Sequence, residues 1–215
     1  AIKKAAAVFA GVSHSLALTV DGRVYAWGSN QYCQLGYATS SLTYSSVPIV
    51  VPGLENEIVE QLSGGTDFCC VITRKKQVWC WGANSVGQIG INTTTAAYCA
   101  STLVESLTEH RIQALSSGGQ STIALTETGV MLGWGANTLN KFGQLNQSVL
   151  LMPTVIGAHF HQRYTEHVST SVSHTMILYN GTTCFRLLQD DPDVCSGNGT
   201  CVDWDTCVCK PGFSG

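Results

Sequence analysis

The chemistry on offer in this 215-residue chain lies mainly in its ten cysteines, and they are unevenly placed. Five fall within residues 184–215, where Cys184 precedes the run Cys195-x5-Cys201-x5-Cys207-x-Cys209. Thiols at this density either cross-link or hold a metal. Structural zinc sites favour pairs of ligands separated by two to four residues, so five-residue and one-residue gaps point to disulfides. The segment is short and rich in Asp, Gly, Asn and Pro, and such segments rely on cross-links because they bury too little apolar surface. The remaining cysteines, Cys33, Cys69, Cys70, Cys80 and Cys99, are odd in number. Cys70 and Cys80 take apolar or small positions of a strand pattern, so buried thiols are their expected state. Cys69 and Cys80 lie diagonally across one hairpin, which leaves a cross-strand disulfide open.

Other reactive residues are sparse. His159 and His161 in "HFH" share one side of a strand, a spacing open to a metal, but an edge pair without a role is the plainer reading. His14 and His174 recur in a common setting, yet Phe68 and Ser121 replace them elsewhere, which fits a structural role. No Ser/His/Asp arrangement, phosphate-binding loop or dinucleotide fingerprint occurs. No catalytic residue, cofactor or metal site is therefore expected. Four Asn-x-Ser/Thr sequons stand at Asn92, Asn146, Asn180 and Asn198, candidate glycan acceptors in a disulfide-forming compartment. Disulfides and sequons together place the chain outside the cell or at its surface.

Charge narrows the partners. Eleven Lys and Arg against fourteen Asp and Glu give a net charge of −3, which disfavours nucleic acid, whose binding rests on neutralising phosphates. The one basic cluster, Arg74-Lys75-Lys76, falls at a hairpin turn and reads as a solvated charge run. No apolar run reaches the length of a membrane span, about 18 residues, so none crosses within this segment, although it suits a longer, membrane-anchored chain. The start "AIKKAAAVFAG" has the lysines and small apolar residues of a signal peptide, but Ala5 to Phe9 read better as a strand.

The elements that hold these residues are hairpins. In "SHSLALTVDGRVYAWGSNQYCQLG", alternation over Ser13–Thr19, the turn signal Asp21-Gly22 and the β-branched and aromatic run Val24–Trp27 describe two antiparallel strands. With Asp21-Gly22 as a two-residue loop, Leu18 opposes Tyr25 and Leu16 opposes Trp27. One face is then large (Leu16, Leu18, Tyr25, Trp27) and the other small (Ser15, Ala17, Ala26, Gly28). The pattern returns 54 residues later in "CCVITRKKQVWCWGAN" and 53 after that in "TIALTETGVMLGWGAN". A fourth start, "VSHTMILYNGTTC", lacks the Trp-Gly. Three and a half units of this length mark stacked sheets of about four strands, as in a propeller. The missing strands are expected in "SVPIVVPGL" with "EIVEQLSGG" and in "LMPTVIGA" with "YTEHVSTSVSH", with Pro48 and Pro153 on edges.

These residues resemble the RCC1-type (regulator of chromosome condensation) repeat: Gly-x-x-His-Ser-x-Ala-Leu, then Gly-x-Val-aromatic-x-Trp-Gly-x-Asn-x-x-Gly-Gln-Leu-Gly. "GVSHSLALTVDGRVYAWGSNQYCQLG" follows it nearly throughout, with Cys33 in place of a glycine. "WGANSVGQIG" follows it too, and "WGANTLNKFGQLN" reads as carrying a three-residue insertion. Kelch repeats share the length and a Gly-Gly pair but set tryptophan differently. The resemblance spans residues 1–183 and implies an all-β, RCC1-like propeller, here an incomplete ring, since seven blades would need about 370 residues. It also implies a fragment of a longer protein whose open ends expose unstacked surface.

Residues 184–215, ending in Pro-Gly-Phe-Ser-Gly, resemble an EGF-like module, truncated. That resemblance implies Cys184–Cys201 and Cys195–Cys207 pairing, with the partner of Cys209 beyond Gly215. The residues before Cys184 lack the acidic pattern of calcium-binding EGF modules. The function expected is extracellular recognition, with propeller loops binding a protein or glycan. An inhibitor of an extracellular enzyme is a variant of it. The alternative is nucleotide exchange or scaffolding for a small GTPase, as some intracellular propellers of this family perform. Contacts are sought in "YATSSLTYSS" after Gly36, "INTTTAAYCAST" after Gly90 and "NTLNKF" after Ala136.

Overall fold

The computed structural model describes residues 4–143, 147–156 and 164–180, together with short strands at 183–184, 187–188, 199–203 and 206–209. Three four-stranded antiparallel meanders follow one another, in the orders β1-β2-β3-β4, β5-β6-β7-β8 and β9-β10-β11-β12. The first comprises Ala5–Ala10, His14–Thr19, Val24–Ser29 and Tyr44–Val50. The second comprises Val59–Gly64, Phe68–Thr73, Val78–Ala83 and Ala97–Leu103. The third comprises Ile112–Gly118, Ser121–Thr126, Met131–Ala136 and Val149–Val155. A half blade, β13 (Tyr164–Thr170) paired with β14 (Thr175–Asn180), completes the three and a half units of the repeat.

The inner strands β1, β5, β9 and β13 lie against one another in sequence, so the blades stack side by side into an arc. Ala5–Ala10 is thus the inner strand of the first blade. Pro48 and Pro153 fall in β4 and β12, the outer strands, where a missing N–H costs no ladder bond. Val8, Val12, Met176 and Leu178 are exposed at the two flanks of the arc.

The hairpin register differs from the expected one by a single residue. Leu18 pairs with Val24 and Leu16 with Ala26, not with Tyr25 and Trp27. The loop has three residues, Val20-Asp21-Gly22, closed by Thr19 N–H donating to the Arg23 carbonyl at 2.9 Å. Gly22, at φ 83°, is a left-handed residue following a tight turn, the geometry of a three-residue loop rather than of a two-residue one. Lys76 at φ 63° and Gly129 at φ 80° repeat it in the next blades.

Because side chains alternate, that one-residue change redistributes both faces. Leu16 and Leu18 share a face with Val24 and Ala26, while Tyr25 and Trp27 join Ser15 and Ala17. The division into a large and a small face therefore does not hold; each face mixes both sizes. The mixture lets neighbours interdigitate. Leu16, Leu18, Val24 and Ala26 pack against Cys69, Val71 and Trp81 of the second blade. Phe68, Cys70, Ile72, Val78 and Cys80 pack in turn against Ala124, Leu132 and Trp134 of the third.

Candidate binding surface

The blade junctions position the loops. Asn30, the last residue of the first Trp-Gly-x-Asn motif, closes the β3–β4 loop: its Oδ1 accepts from Leu35 N–H at 2.9 Å, and its Nδ2 donates to the Tyr37 and Leu42 carbonyls at 2.8 and 2.7 Å. Asn84 does the same for Ile89 and Thr93, and Asn137 for Phe142 and Gln147. Across the junctions, Trp81 Nε1 donates to the Gln34 carbonyl at 3.0 Å and Trp134 Nε1 to the Gln88 carbonyl at 2.8 Å. Gln34 Nε2 also reaches Asp67 Oδ1 at 3.2 Å. Each motif Gln thus holds the next blade's tryptophan.

The third loop carries no insertion as far as Gly143. Asn140 N–H donates to Asn137 O and Gly143 N–H to Asn140 O, as Gly87 does to Asn84 and Gly90 to Gly87. Lys141 therefore occupies the place of Gln88, and Phe142 that of Ile89. Lys141 is buried, with Nζ donating to the carbonyls of Gly118, Ser171 and Val172 at 3.3, 2.9 and 3.2 Å. Burial holds its ammonium down to about 8. In "NTLNKF" the ends are thus structural, and Leu139 is the exposed tip.

Two disulfides replace the thiols expected among the repeats. Cys70 and Cys80 are directly opposite in the β6–β7 ladder and are bonded, with Cα atoms 4.1 Å apart. The diagonal Cys69–Cys80 pairing fails because the shifted register puts Cys69 opposite Trp81, on the other face. Cys33, in the first blade's β3–β4 loop, is bonded to Cys99 in β8 of the second, Cα to Cα 4.6 Å. Cys69 remains a buried thiol, 3.1 Å from His14 Nε2. Burial pushes the Cys69 thiol up and the His14 imidazole down to about 4, so the pair is neutral at pH 7, a core contact rather than an activated nucleophile.

The other sequence candidates are scattered. Asn92 is exposed, at φ 60° on a loop. Asn180 ends β14. Asn146, Asn198, Cys195, His159 and His161 lie outside the described residues. Cys184 falls in β15 (Thr183–Cys184), paired with β16 (Leu187–Leu188); Cys201 and Cys207 are partners in the ladder of β17 (Gly199–Asp203) with β18 (Thr206–Cys209). Among the described residues no group of three or more His, Cys, Asp and Glu is placed to hold a metal ion. No helix there is long and apolar enough to cross a membrane. The basic turn is met by acids: Arg74 and Lys76 pair with Glu60 at 3.3 and 3.2 Å, and Lys75 with Glu57 at 2.7 Å.

One feature went unmarked in the sequence. On the turn side of the first blade, the β2–β3 turn and the β4–β5 connector enclose a cleft of about 490 Å³, in the size range of ligand pockets. Its floor is Val24, Val51 and Leu54; Asp21, Glu55 and Glu57 stand around it. The signal available was the acidic "GLENEI" between two strands.

These blades match a known family. Models described as "Regulator of chromosome condensation (RCC1) repeat" cover residues 21–72 and 76–125, and 5–34 and 59–88, together spanning 5–125. The chain belongs to the RCC1-repeat family. The human X-linked retinitis pigmentosa GTPase regulator is 32% identical over 143 residues, 66% of this chain and 14% of the relative. Human E3 ubiquitin-protein ligase HERC2 is 28% identical over 207 residues, 94% of this chain and 4% of the relative. This RCC1-repeat chain thus spans a small part of such relatives. In structure it is similar to yeast RCC1 (Prp20), solved bound to Kap60, with a TM-score of 0.72 at 16% identity, over 80% of this chain and 41% of that one. That likeness establishes the fold.

Proposed function

We propose that this segment is an extracellular protein-recognition module, an RCC1-type arc (1–183) joined to an EGF-like unit (184–215) within a longer secreted or membrane-anchored protein. The observation that carries the reading is the Cys33–Cys99 bond, which joins two blades across a sequence separation of 66. Disulfides of this kind persist in oxidising compartments and are rare in the cytosol. Further support comes from β15, which carries Cys184 and lies beside β17, which carries Cys201, the pair that EGF-like connectivity joins. Cys195–Cys207 is the second bond of that scheme, leaving Cys209. Glycans are assigned to Asn92, Asn146, Asn180 and Asn198, of which Asn92 is exposed on a loop. The loops bind a protein or glycan; no catalytic step is assigned to these residues.

A second reading, regulation of a small GTPase inside the cell, is favoured by the identity with the GTPase regulator. The ligase activity in HERC2's name is that protein's, of which 4% is matched. Mass spectrometry of the natural protein, digested without and with reduction and before and after glycan removal, separates the readings. Linked Cys33–Cys99 and Cys184–Cys201 with sugar on a sequon is the expected result. Free thiols and bare asparagines overturn it in favour of the intracellular regulator.

A further inference from the structure

We infer that the first sugar of the Asn92 glycan, an N-acetylglucosamine, sits in a pocket on the outer rim between the second and third blades, which rests on the recognition reading and its glycan assignment. There the sugar completes the junction. The pocket is about 240 Å³ and is lined by Gly90, Ile91, Asn92, Glu105, Ser106 and Met152. It is smaller than the pockets that hold drug-sized ligands and suits one sugar ring. The acceptor residue of the sequon Asn92-Thr93-Thr94 forms part of the wall. Its N–H donates to the Leu151 carbonyl of β12 at 2.9 Å, and its φ of 60° is one that asparagine visits more readily than most residues. The backbone is thus fixed against the third blade while the side chain is exposed. Met152 is exposed and Ile91 half-buried, an apolar surface for the C–H face of the ring and its acetamide methyl. Glu105 and Ser106 add a carboxylate and a hydroxyl for its O–H and N–H groups.

The first junction fills the same place with protein. Gly36 N–H donates to Cys33 O as Gly90 N–H does to Gly87 O, which makes Tyr37 the counterpart of Ile91. Val51 N–H donates to Val24 O as Val104 N–H does to Val78 O, which aligns Pro52 with Glu105. Tyr37 sends its hydroxyl to the Val50 carbonyl at 3.0 Å, and Ser101 Oγ donates to the Pro52 carbonyl at 3.0 Å. At the second junction Ile91 is shorter, and Pro153, in register with Ser101, has no hydroxyl to offer. Ala38, in the place of Asn92, cannot carry a glycan. The junction that lacks the protein filler is the one that carries the acceptor. The loop after Gly90 then serves glycan packing, not ligand contact.

The test measures hydrogen exchange in three forms of the full-length protein made with oligomannose glycans: intact, trimmed by endoglycosidase H to one N-acetylglucosamine per site, and stripped by peptide-N-glycosidase F. Exchange in residues 90–93, 105–107 and 151–152 is expected to be equally slow in the first two forms and about tenfold faster in the third, because local opening follows local contacts. Stripping leaves an aspartate at position 92. Thr94→Ala, which prevents attachment and keeps Asn92, is the uncharged control and should exchange as the stripped form does. Ile91→Tyr, which restores the filler of the first junction, should make exchange there indifferent to stripping. A bare Asn92, a trimmed form that exchanges as fast as the stripped one, or a stripped form as slow as the trimmed one overturns the inference. A bare Asn92 with Cys33–Cys99 linked and sugar on another sequon leaves the recognition reading standing, whereas free thiols at Cys33 and Cys99 overturn that reading itself.

Discussion

Cys33 and Cys99 occupy the positions that Gly87 and Leu151 hold one blade later. In both junctions a left-handed loop residue, Cys33 at φ 64° or Gly87 at φ 75°, meets the third residue of the next blade's outer strand. At Gly87 a Cβ would come within 2.9 Å of the Leu151 backbone, so glycine there permits van der Waals approach. At Cys33 the same approach is covalent. One junction is packed and the other stapled.

The staple can therefore be exchanged for packing. Cys33→Ser with Cys99→Ser opens a loop of 66 residues' separation and is expected to lower stability by about 4 kcal/mol on the chain-entropy account. Cys33→Gly with Cys99→Leu recreates the neighbouring junction and relieves a left-handed L-residue worth about 1 kcal/mol. It should recover part of the loss. Denaturant midpoints of the two double variants check the order, and equal midpoints would refute the equivalence of the junctions.

Acid should weaken the first junction through His14. Its imidazole is buried, 3.1 Å from Cys69 Sγ, with Nδ1 unpartnered, and burial lowers it from 6.5 to about 4. The unfolded chain then binds the proton more readily. Stability from this group is complete above pH 6.5 and is lost as pH falls towards 4, about 3 kcal/mol in all. His14→Phe, the residue the second blade uses at Phe68, should flatten that part of the stability–pH curve. A curve equally steep in both proteins would exclude His14 as its source.

Much of this arrangement was legible in the sequence, and the failures share a cause. The spacing of Trp27, Trp81 and Trp134 gave the blades, and the intervening Val-rich runs gave their outer and inner strands. The register differs because Asp21-Gly22 has the composition of a two-residue loop, whereas Gly22 takes its positive φ as the last residue of a three-residue one, a place that Lys76 fills in the second blade with no compositional signal. That one extra loop residue per hairpin exchanges the faces in the first blade and sets Cys70, not Cys69, opposite Cys80 in the second. The apparent insertion arose because "GQL" at residues 143–145 imitates the motif, whereas hydrogen bonding assigns the slot to Lys141. Contacts between blades were invisible for another reason: Trp81 and Trp134 donate to backbone carbonyls, which every residue has.

Those carbonyl contacts carry weight because their acceptors are buried. Trp81→Phe leaves the ring volume smaller and the Gln34 carbonyl without its indole donor. A loss of about 2–3 kcal/mol is expected from the cavity and the unpaired acceptor together. Gly82→Ala should be worse, since a Cβ would lie 2.6 Å from the Asp67 carbonyl oxygen at a φ of 105°. Thermal unfolding of both variants checks the ranking.

Lys141 fixes the half blade by a different means from Gln34 or Gln88. Its ammonium reaches the Ser171 and Val172 carbonyls in the β13–β14 loop and Gly118 in its own blade, so a single cation bridges two units. Lys141→Met keeps the stem and removes the donors. Amide exchange should then rise in residues 164–180 by about tenfold while β2, β6 and β10 stay protected, because local opening is set by local contacts. Lys141→Gln, which restores the residue of the earlier blades, should return part of the protection. If exchange rose uniformly through all the blades instead, the lysine would be supporting the whole stack rather than docking its last unit.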